Sequence, residues 1–482
     1  MKSKLPKVLH RLGGRALLGH VVDTARALEA RRVVVITGHG AIEVEAACAG
    51  FICSAADIPS KNRSEMEVKF VRQEPQLGTG HAVLQAVPEL PDDGVVVILS
   101  GDVPLTQAST LRDLVSACAG TRLALLTIEL TNPTGYGRIV RAQNNGTPSH
   151  TDTGTDTGSA AIPGDKGAVL AIAEQKDATP EQLLIREIYS GIMAVPAALL
   201  KRWLARLDNR NAQGEFYLTD IVKFAVTDQI AVVAHVITDE AQVAGINSPL
   251  QLAALERVFQ QRLAIKFMEA GVRLADPARF DVRGSLQCGQ EVEIDVNCIF
   301  EGTVVLGDDV KIGANSVIKN AQIDRGAVIH PFTHIEGGVA GSKDAVNVGA
   351  GALIGPFARL RPGAQLAQDV HIGNFVEVKN SSLAKGAKAN HLAYLGDATV
   401  GERVNYGAGS ITANYDGAFK HRTLIEADVH IGSNCVLVAP VTIGAGGTVG
   451  GGSTITKDTA AGVLTVGRGK QTSIPGWKRP RK

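Results

Sequence analysis

Residues 354–378, IGPFARLRPGAQLAQDVHIGNFVEV, carry an aliphatic side chain at every sixth position: Ile354, Leu360, Leu366, Ile372 and Val378. The same clock resumes at Ile425, Ile431, Leu437, Ile443, Val449 and Ile455. Gly follows directly after Ile372, Ile431, Ile443 and Val449. Four residues after an aliphatic comes a small or branched residue, as at Val370, Val376, Val429, Cys435, Val441 and Ser453. A period of six is neither the 3.6 of a helix nor the 2.0 of a half-buried strand. It is the hexapeptide period of a parallel β-helix. Three such rungs make one turn of a triangular prism. The aliphatic points inward, the short residue points inward near the corner, and Gly permits backbone geometry that a Cβ would hinder. Stacked coils then share one continuous core.

Outward from this stretch, earlier rungs stand at Ile294, Phe300, Leu306, Ile312 and Ile318. The clock breaks at Asp324 and across residues 336–348, where a loop is expected to leave the prism. A second break, between Val378 and Ile425, holds Asn390-His391-Leu392-Ala393-Tyr394 and Asn414-Tyr415-Asp416-Gly417. Local rules are most often broken where function lies. Upstream, Leu252, Leu255, Val258, Phe259 and Leu263 fall on one helical stripe. The expected division is therefore an N-terminal domain over residues 1–249, a helical linker over 250–270 and a β-helix domain over 271–482. The basic tail (Arg468, Lys470, Lys478, Arg479, Arg481, Lys482) reads either as a solvated tail or as a phosphate-binding arm.

The N-terminal part has another rhythm. Buried-strand runs at Val33–Gly38, Val68–Val71 and Val95–Asp102 alternate with helical stretches near residues 80–86 and 109–118. That alternation argues for a parallel α/β sheet, whose ligands bind beyond the carboxyl ends of the strands. In Gln73-Glu74-Pro75-Gln76-Leu77-Gly78-Thr79-Gly80-His81-Ala82, a Gly-Thr-Gly turn opens a helix and offers amide N–H groups to a nucleotide; a plain turn is the other reading. In Leu99-Ser100-Gly101-Asp102-Val103-Pro104-Leu105, an acid at a strand's carboxyl end suits Mg²⁺; a helix cap is the other reading. Residues 144–167 are almost free of apolar side chains and read as a disordered hairpin tip. The flanking segments, Tyr136–Val140 and Ile172–Asp177, read as the two strands of that hairpin.

With 482 residues, two or more domains are expected. A formal net charge of +1, with both signs interspersed, gives no electrostatic case for nucleic acid. No apolar leader or long apolar run is visible, and six scattered cysteines without a CxxC pair fit a reducing, cytoplasmic setting.

Taken in order, these segments resemble one family across essentially the whole chain. It is the bifunctional glucosamine-1-phosphate N-acetyltransferase and N-acetylglucosamine-1-phosphate uridylyltransferase of bacterial cell-envelope synthesis. The motifs are Leu5-Pro6-Lys7-Val8-Leu9-His10, Gln76–Ala82, Gly101–Leu105, Gly135-Tyr136-Gly137-Arg138-Ile139, Gly355–Gly363, Gly373–Lys379 and Asn414–Gly417. The resemblance implies an α/β nucleotidyltransferase (Rossmann-like) domain plus a C-terminal left-handed parallel β-helix of hexapeptide repeats. It implies His391 as the general base of acetyl transfer, Arg361 and Lys379 as holders of the sugar phosphate, and Tyr394 and Asn405 as sugar contacts. It implies acetyl-CoA contacts at Ala408, Asn414, Tyr415, Ser433, Gly451 and Arg468. For uridylyl transfer it implies nucleotide and sugar contacts at Lys7, Gln73, Gly78, Thr79, Ser100, Gly101, Asp102, Gly137, Glu174, Tyr189 and Asn247. Asp102 and Asn247 match its Mg²⁺ ligands. Tyr189 stands where relatives usually present Asn, and Gly451 where some carry Ala. The implied partners are glucosamine 1-phosphate, N-acetylglucosamine 1-phosphate, acetyl-CoA and UTP, in a homotrimer.

The family opens with a strand and a Gly-rich loop ending Gly-Thr-Arg-Met, and the chain as given starts at the Met that closes this motif. Two expectations follow. A chain starting at Met1 has an impaired uridylyltransferase, leaving acetyl transfer alone; or the start site has been assigned too far downstream. A non-catalytic scaffold that binds sugar nucleotides is a third reading, against which His391, Lys379 and Arg361 argue.

Overall fold

The computed structural model describes residues 3–53, 66–142, 167–339 and 341–479. It divides into two compact units, Met1–Leu255 and Glu256–Lys482. The expected disordered tip, Gly167 apart, lies outside the described residues, as do Arg481 and Lys482.

The first unit is α/β. Its main sheet runs Val232–Ile237, Leu123–Glu129, Glu187–Pro196, Arg138–Arg141 and Val169–Ala173, with Val95–Ile98 also paired to Glu187–Pro196. Leu123–Glu129 is buried on both faces, so its alternate side chains enter different cores. Leu123 and Leu125 join Leu200, Trp203, Ile221 and Val222 of the helices Ala197–Leu204 and Asp220–Thr227. Ala124, Leu126 and Ile128 join Leu111, Leu114 and Cys118, which line one stripe of the helix Ala108–Cys118. The sheet is mixed rather than parallel. Val232–Ile237 runs parallel to Leu123–Glu129, but Glu187–Pro196 runs antiparallel to both its long neighbours. The reason is local: this strand follows the hairpin of Arg138–Arg141 and Val169–Ala173 and returns along the sheet. A second, parallel ladder joins Arg32–Thr37 to Glu67–Arg72. Among the described residues, Arg32–Thr37 and Val95–Ile98 belong to separate sheets and each has one ladder edge unpaired.

The second unit is a parallel β-helix with three faces. Strands one coil apart pair in register, as Leu353↔His371 and His371↔Lys388 on one face, Arg359↔Glu377 on the next, and Gln365↔Ser382 on the third. All eleven aliphatics of the six-residue clock between Ile354 and Ile455 are buried in one core. So are Val370, Val376, Val429, Cys435, Val441 and Ser453. Burial pushes the Cys298 thiol up to about 11, consistent with a small core residue rather than a reactive one. The helix Pro249–Glu269 caps the first coil. Gln260 accepts from the Val282 N–H and donates to the Val282 carbonyl, both at 2.8 Å, so the open strand end is satisfied. Phe267 meets Phe280 edge-on at 5.8 Å, and Phe280 meets Phe300 at 5.9 Å. Phe280→Ala removes the middle ring of this buried row. It is expected to destabilise the β-helix unit by about 3–5 kcal/mol, read from urea unfolding followed by circular dichroism.

The break at residues 336–348 is a loop between the strands His334–Glu336 and Val346–Val348. The break after Val378 is of a second kind. The coils continue through Lys388–His391 and Asn405–Tyr406, and an excursion closes on itself by the bridge Tyr415↔Lys420.

Candidate active sites

In the first unit, three residues far apart in sequence converge. The Lys7 ammonium is ion-paired with Asp102 and hydrogen-bonded to the Asn247 side-chain oxygen. The Asp102 carbonyl accepts from the Ile246 N–H at 3.1 Å, which ties the loop after Val95–Ile98 to the loop carrying Asn247. Two side-chain oxygens therefore face one cation position. Mg²⁺ takes few carboxylates and keeps waters or phosphate oxygens, so this donor pair fits it; among the described residues no larger cluster of acidic or imidazole ligands exists.

The Gly-Thr-Gly turn is tightly built. Gly78 has φ of 107°, and a Cβ there would lie 2.8 Å from the Phe216 carbonyl oxygen. The Gln73 amide donates to the Gly78 carbonyl at 2.9 Å. The expectation of free amides needs correction at Gly80, whose N–H is taken by the Phe216 carbonyl at 2.8 Å. The Thr79 hydroxyl also accepts from the Leu218 N–H at 3.2 Å. Packing of this turn against residues 216–218 uses groups that sequence alone would assign to a ligand. Ser100 lies against Gly191, and Gly101 against Val8.

A second group gathers Gly137, Glu174 and Tyr189. The Gly137 carbonyl accepts from the Tyr189 N–H at 2.9 Å, and a Cβ on Gly137 would press on Ile172. Glu174 is held by the Thr219 hydroxyl at 2.7 Å. Tyr189 is buried, its hydroxyl has no hydrogen-bond partner among the described residues, and burial first and then the charge of Glu174 push its phenol upward.

In the second unit, successive coils stack a column of residues on one corner. The His391 carbonyl accepts from Gly409, that of Ala408 from Asn434, and that of Ser433 from Gly452. His391, Ala408, Ser433 and Gly451 thus line one corner of four consecutive coils. Arg468 lies against Gly450 and Gly452 at the end of it. The corner is nearly bare because Gly432 abuts Gly451 backbone to backbone. A Cβ on Gly451 would sit 3.3 Å from the Ser433 carbonyl oxygen, a contact a methyl group can make with slight adjustment.

On the adjoining face, Arg361 pairs with Glu377 at 2.7 Å. Lys379 faces Lys420, and this neighbour first, then burial and Arg361, hold Lys379 below the ordinary lysine value, against the pull of Asp397. Lys379 and Lys420 thus lie close together with Arg361 near enough to act on Lys379, a concentration of positive charge, only partly offset by Glu377 and Asp397, that suits an oxyanion. Tyr394 lies across Gly396, where any Cβ would collide with its ring. Asn414 is buried and donates to Asp397, which also accepts from Asn380. Asn405 and Tyr415 are exposed, away from these bonds. Lys420 and Asp397 escaped sequence reasoning. The basic run Lys420-His421-Arg422, just after Asn414–Gly417 and inside a break of the repeat, was the signal available for the first.

A unit with paired oxygen donors beyond strand ends, in one chain with a hexapeptide β-helix carrying a histidine corner and a cation seat, defines a two-domain transferase. Residues 1–148 match the MobA-like NTP transferase domain, and residues 422–457 match the bacterial transferase hexapeptide of six repeats. The chain is 70% identical over 482 residues to the bifunctional protein GlmU of Albidiferax ferrireducens, covering 100% of this chain and 97% of that one. It is 70% identical to that of a Polaromonas species, covering 100% and 96%. Against that of Methylibium petroleiphilum it is 63% identical, with the same coverage of 100% and 96%. The chain belongs to the GlmU family of bifunctional transferases. Among the described residues no helix is long and apolar enough to cross a membrane.

Proposed function

We propose that the chain makes UDP-N-acetylglucosamine in two steps. In the β-helix unit, the amine of glucosamine 1-phosphate attacks the thioester carbonyl of acetyl-CoA. The new C–N bond forms, the C–S bond breaks, and CoA leaves as the thiol. His391 takes the amine proton as nitrogen bonds to carbon, a task suited to imidazole near neutral pH. Arg361, Lys379 and Lys420 hold the sugar phosphate, and Tyr394 and Asn405 bound the sugar. Acetyl-CoA lies along the corner of Ala408, Ser433 and Gly451, with Asn414 and Tyr415 beside it and Arg468 at its far end.

In the α/β unit, a phosphate oxygen of N-acetylglucosamine 1-phosphate attacks the α-phosphorus of UTP, and pyrophosphate leaves. Asp102 and Asn247 would hold Mg²⁺, which supplies charge neutralisation on the phosphates. Lys7 then turns from these oxygens to a phosphate oxygen. Gln73, Gly78 and Thr79 frame the nucleotide over Ser100 and Gly101, and Gly137, Glu174 and Tyr189 bound the sugar.

The setting is cytoplasmic and the assembly a homotrimer. A ridge supports the latter: Phe332, Phe357 and Phe375 are exposed and stack at 5.0 and 5.4 Å along the prism, a surface a second copy would cover. Sedimentation equilibrium checks it, and a monomer at micromolar concentration would remove the trimer.

The observation that carries the acetyl-transfer reading is the seat of Arg361, Lys379 and Lys420, since like charges brought together want an anion. Glucosamine without phosphate is therefore expected to be acetylated at least 100-fold less efficiently, about the 3 kcal/mol of charge-assisted hydrogen bonds lost. Equal kcat/KM for the two sugars would overturn the reading. A pH dependence follows. Because Lys379 titrates below an ordinary lysine, its ammonium is lost early on the alkaline side, and the KM for sugar phosphate rises there. Lys420→Met removes the cause, so KM is higher throughout but its alkaline rise begins at higher pH. An unchanged onset would show that Lys420 does not act on Lys379.

A further inference from the structure

His391 ends the strand Lys388–His391, and the preceding coil sets Asn374 opposite it in register. The two coils approach so closely that a Cβ on Gly373 would collide with the backbone of Asn390, so Asn374 and His391 ride on one rigid stack. Leu392 donates its N–H to the Asn374 carbonyl at 3.0 Å, which fixes the backbone on both sides of the pair. The His391 Nδ1 lies 3.0 Å from the Asn374 side-chain oxygen. An amide oxygen only accepts, so Nδ1 must carry the proton and donate it. In the neutral ring Nε2 is then bare.

We infer that Asn374 is a positioning residue for acetyl transfer: its amide oxygen fixes the tautomer and ring orientation of His391, leaving Nε2 as the basic nitrogen. The inference rests on His391 being the base. The choice of an amide has a chemical consequence. A carboxylate at this position would also hold the Nδ1 proton, but it would stabilise imidazolium and carry His391 into its protonated, non-basic form at higher pH. Asn374 orients the ring without adding that charge. In a neutral free base, a ring released from this bond divides its proton between the two nitrogens and swings about its χ angles. The fraction ready to accept a proton at the right place falls.

Three variants test this on the full chain. With Asn374→Ala, kcat for acetyl transfer is expected to fall by about 10- to 100-fold, less than the roughly 10²–10⁴ a general base supplies, with KM for acetyl-CoA and the melting temperature nearly unchanged. With Asn374→Asp, which keeps size and acceptor, much of kcat returns at alkaline pH, and the acid limb of kcat/KM moves to higher pH. His391→Ala serves as the reference. If His391→Ala is inactive while Asn374→Ala keeps kcat within about threefold, the positioning role is overturned and the base stands. If His391→Ala itself retains acetyl transfer, the base reading fails first. Should Asn374→Ala not fold, Asn374→Asp decides: an acid limb identical to that of the parent overturns the inference.

Discussion

His391→Ala is expected to lower kcat for acetyl transfer by about 10²–10⁴-fold, the contribution of a positioned general base, while uridylyl transfer is unchanged. The selectivity follows from placement. His391 projects from a corner of the β-helix unit, is exposed, and contributes nothing to the buried core of that unit. Its removal therefore costs chemistry and not folding. The effect is on kcat because the column of Ala408, Ser433 and Gly451 and the seat of Arg361, Lys379 and Lys420 are intact. Substrates still bind; the ammonium proton has nowhere to go as the thioester is attacked. CoA release followed by a thiol reagent, beside pyrophosphate release on the same preparation, measures both halves. Acetyl transfer within about tenfold of the parent enzyme would remove His391 from the role.

The mirror prediction concerns Asp102. Asp102→Ala is expected to lower uridylyl transfer by about 10²–10³-fold, the scale of removing one group that stabilises developing charge, and to leave acetyl transfer intact. Asp102 supplies one of the two oxygens that face Lys7. Without it the Asn247 oxygen is left alone, and a single neutral donor is a poor site for a divalent cation. Binding of Mn²⁺ to the chain, read by the loss of its free EPR signal, should weaken in parallel. Equal Mn²⁺ binding by parent and variant would contradict the metal role of Asp102, whatever the activity.

The two halves differ in how much sequence revealed. The β-helix was legible because period six is incompatible with any other common element, and each aliphatic of the clock is buried where the period puts it. In the α/β unit, strands were legible as apolar runs, but direction was not. Apolar runs look alike in parallel and antiparallel ladders, so the reversal of Glu187–Pro196 emerged only from its pairing. Among site residues, His391 stood out as a break in the clock. Its partner Asn374 did not, although the two are one coil apart and coil spacing is the signal that finds such pairs. Lys420 was hidden because it sits in an excursion whose return path no period describes. Lys7, Asp102 and Asn247 are the extreme case: their convergence depends on three loops, and only resemblance to a family joined them beforehand.

One chain is expected to perform two chemically separate transfers in two units. The most direct measurement supplies the purified chain with glucosamine 1-phosphate, acetyl-CoA, UTP and Mg²⁺, and follows CoA thiol and pyrophosphate together for the parent, His391→Ala and Asp102→Ala. The parent should release both, whereas CoA release alone is the outcome expected of an impaired uridylyltransferase. His391→Ala should release neither from glucosamine 1-phosphate, yet regain pyrophosphate release when given N-acetylglucosamine 1-phosphate. Asp102→Ala should release CoA alone. Pyrophosphate release by the parent that stays absent even with N-acetylglucosamine 1-phosphate, or loss of both activities in either variant with the fold intact, would contradict this expectation.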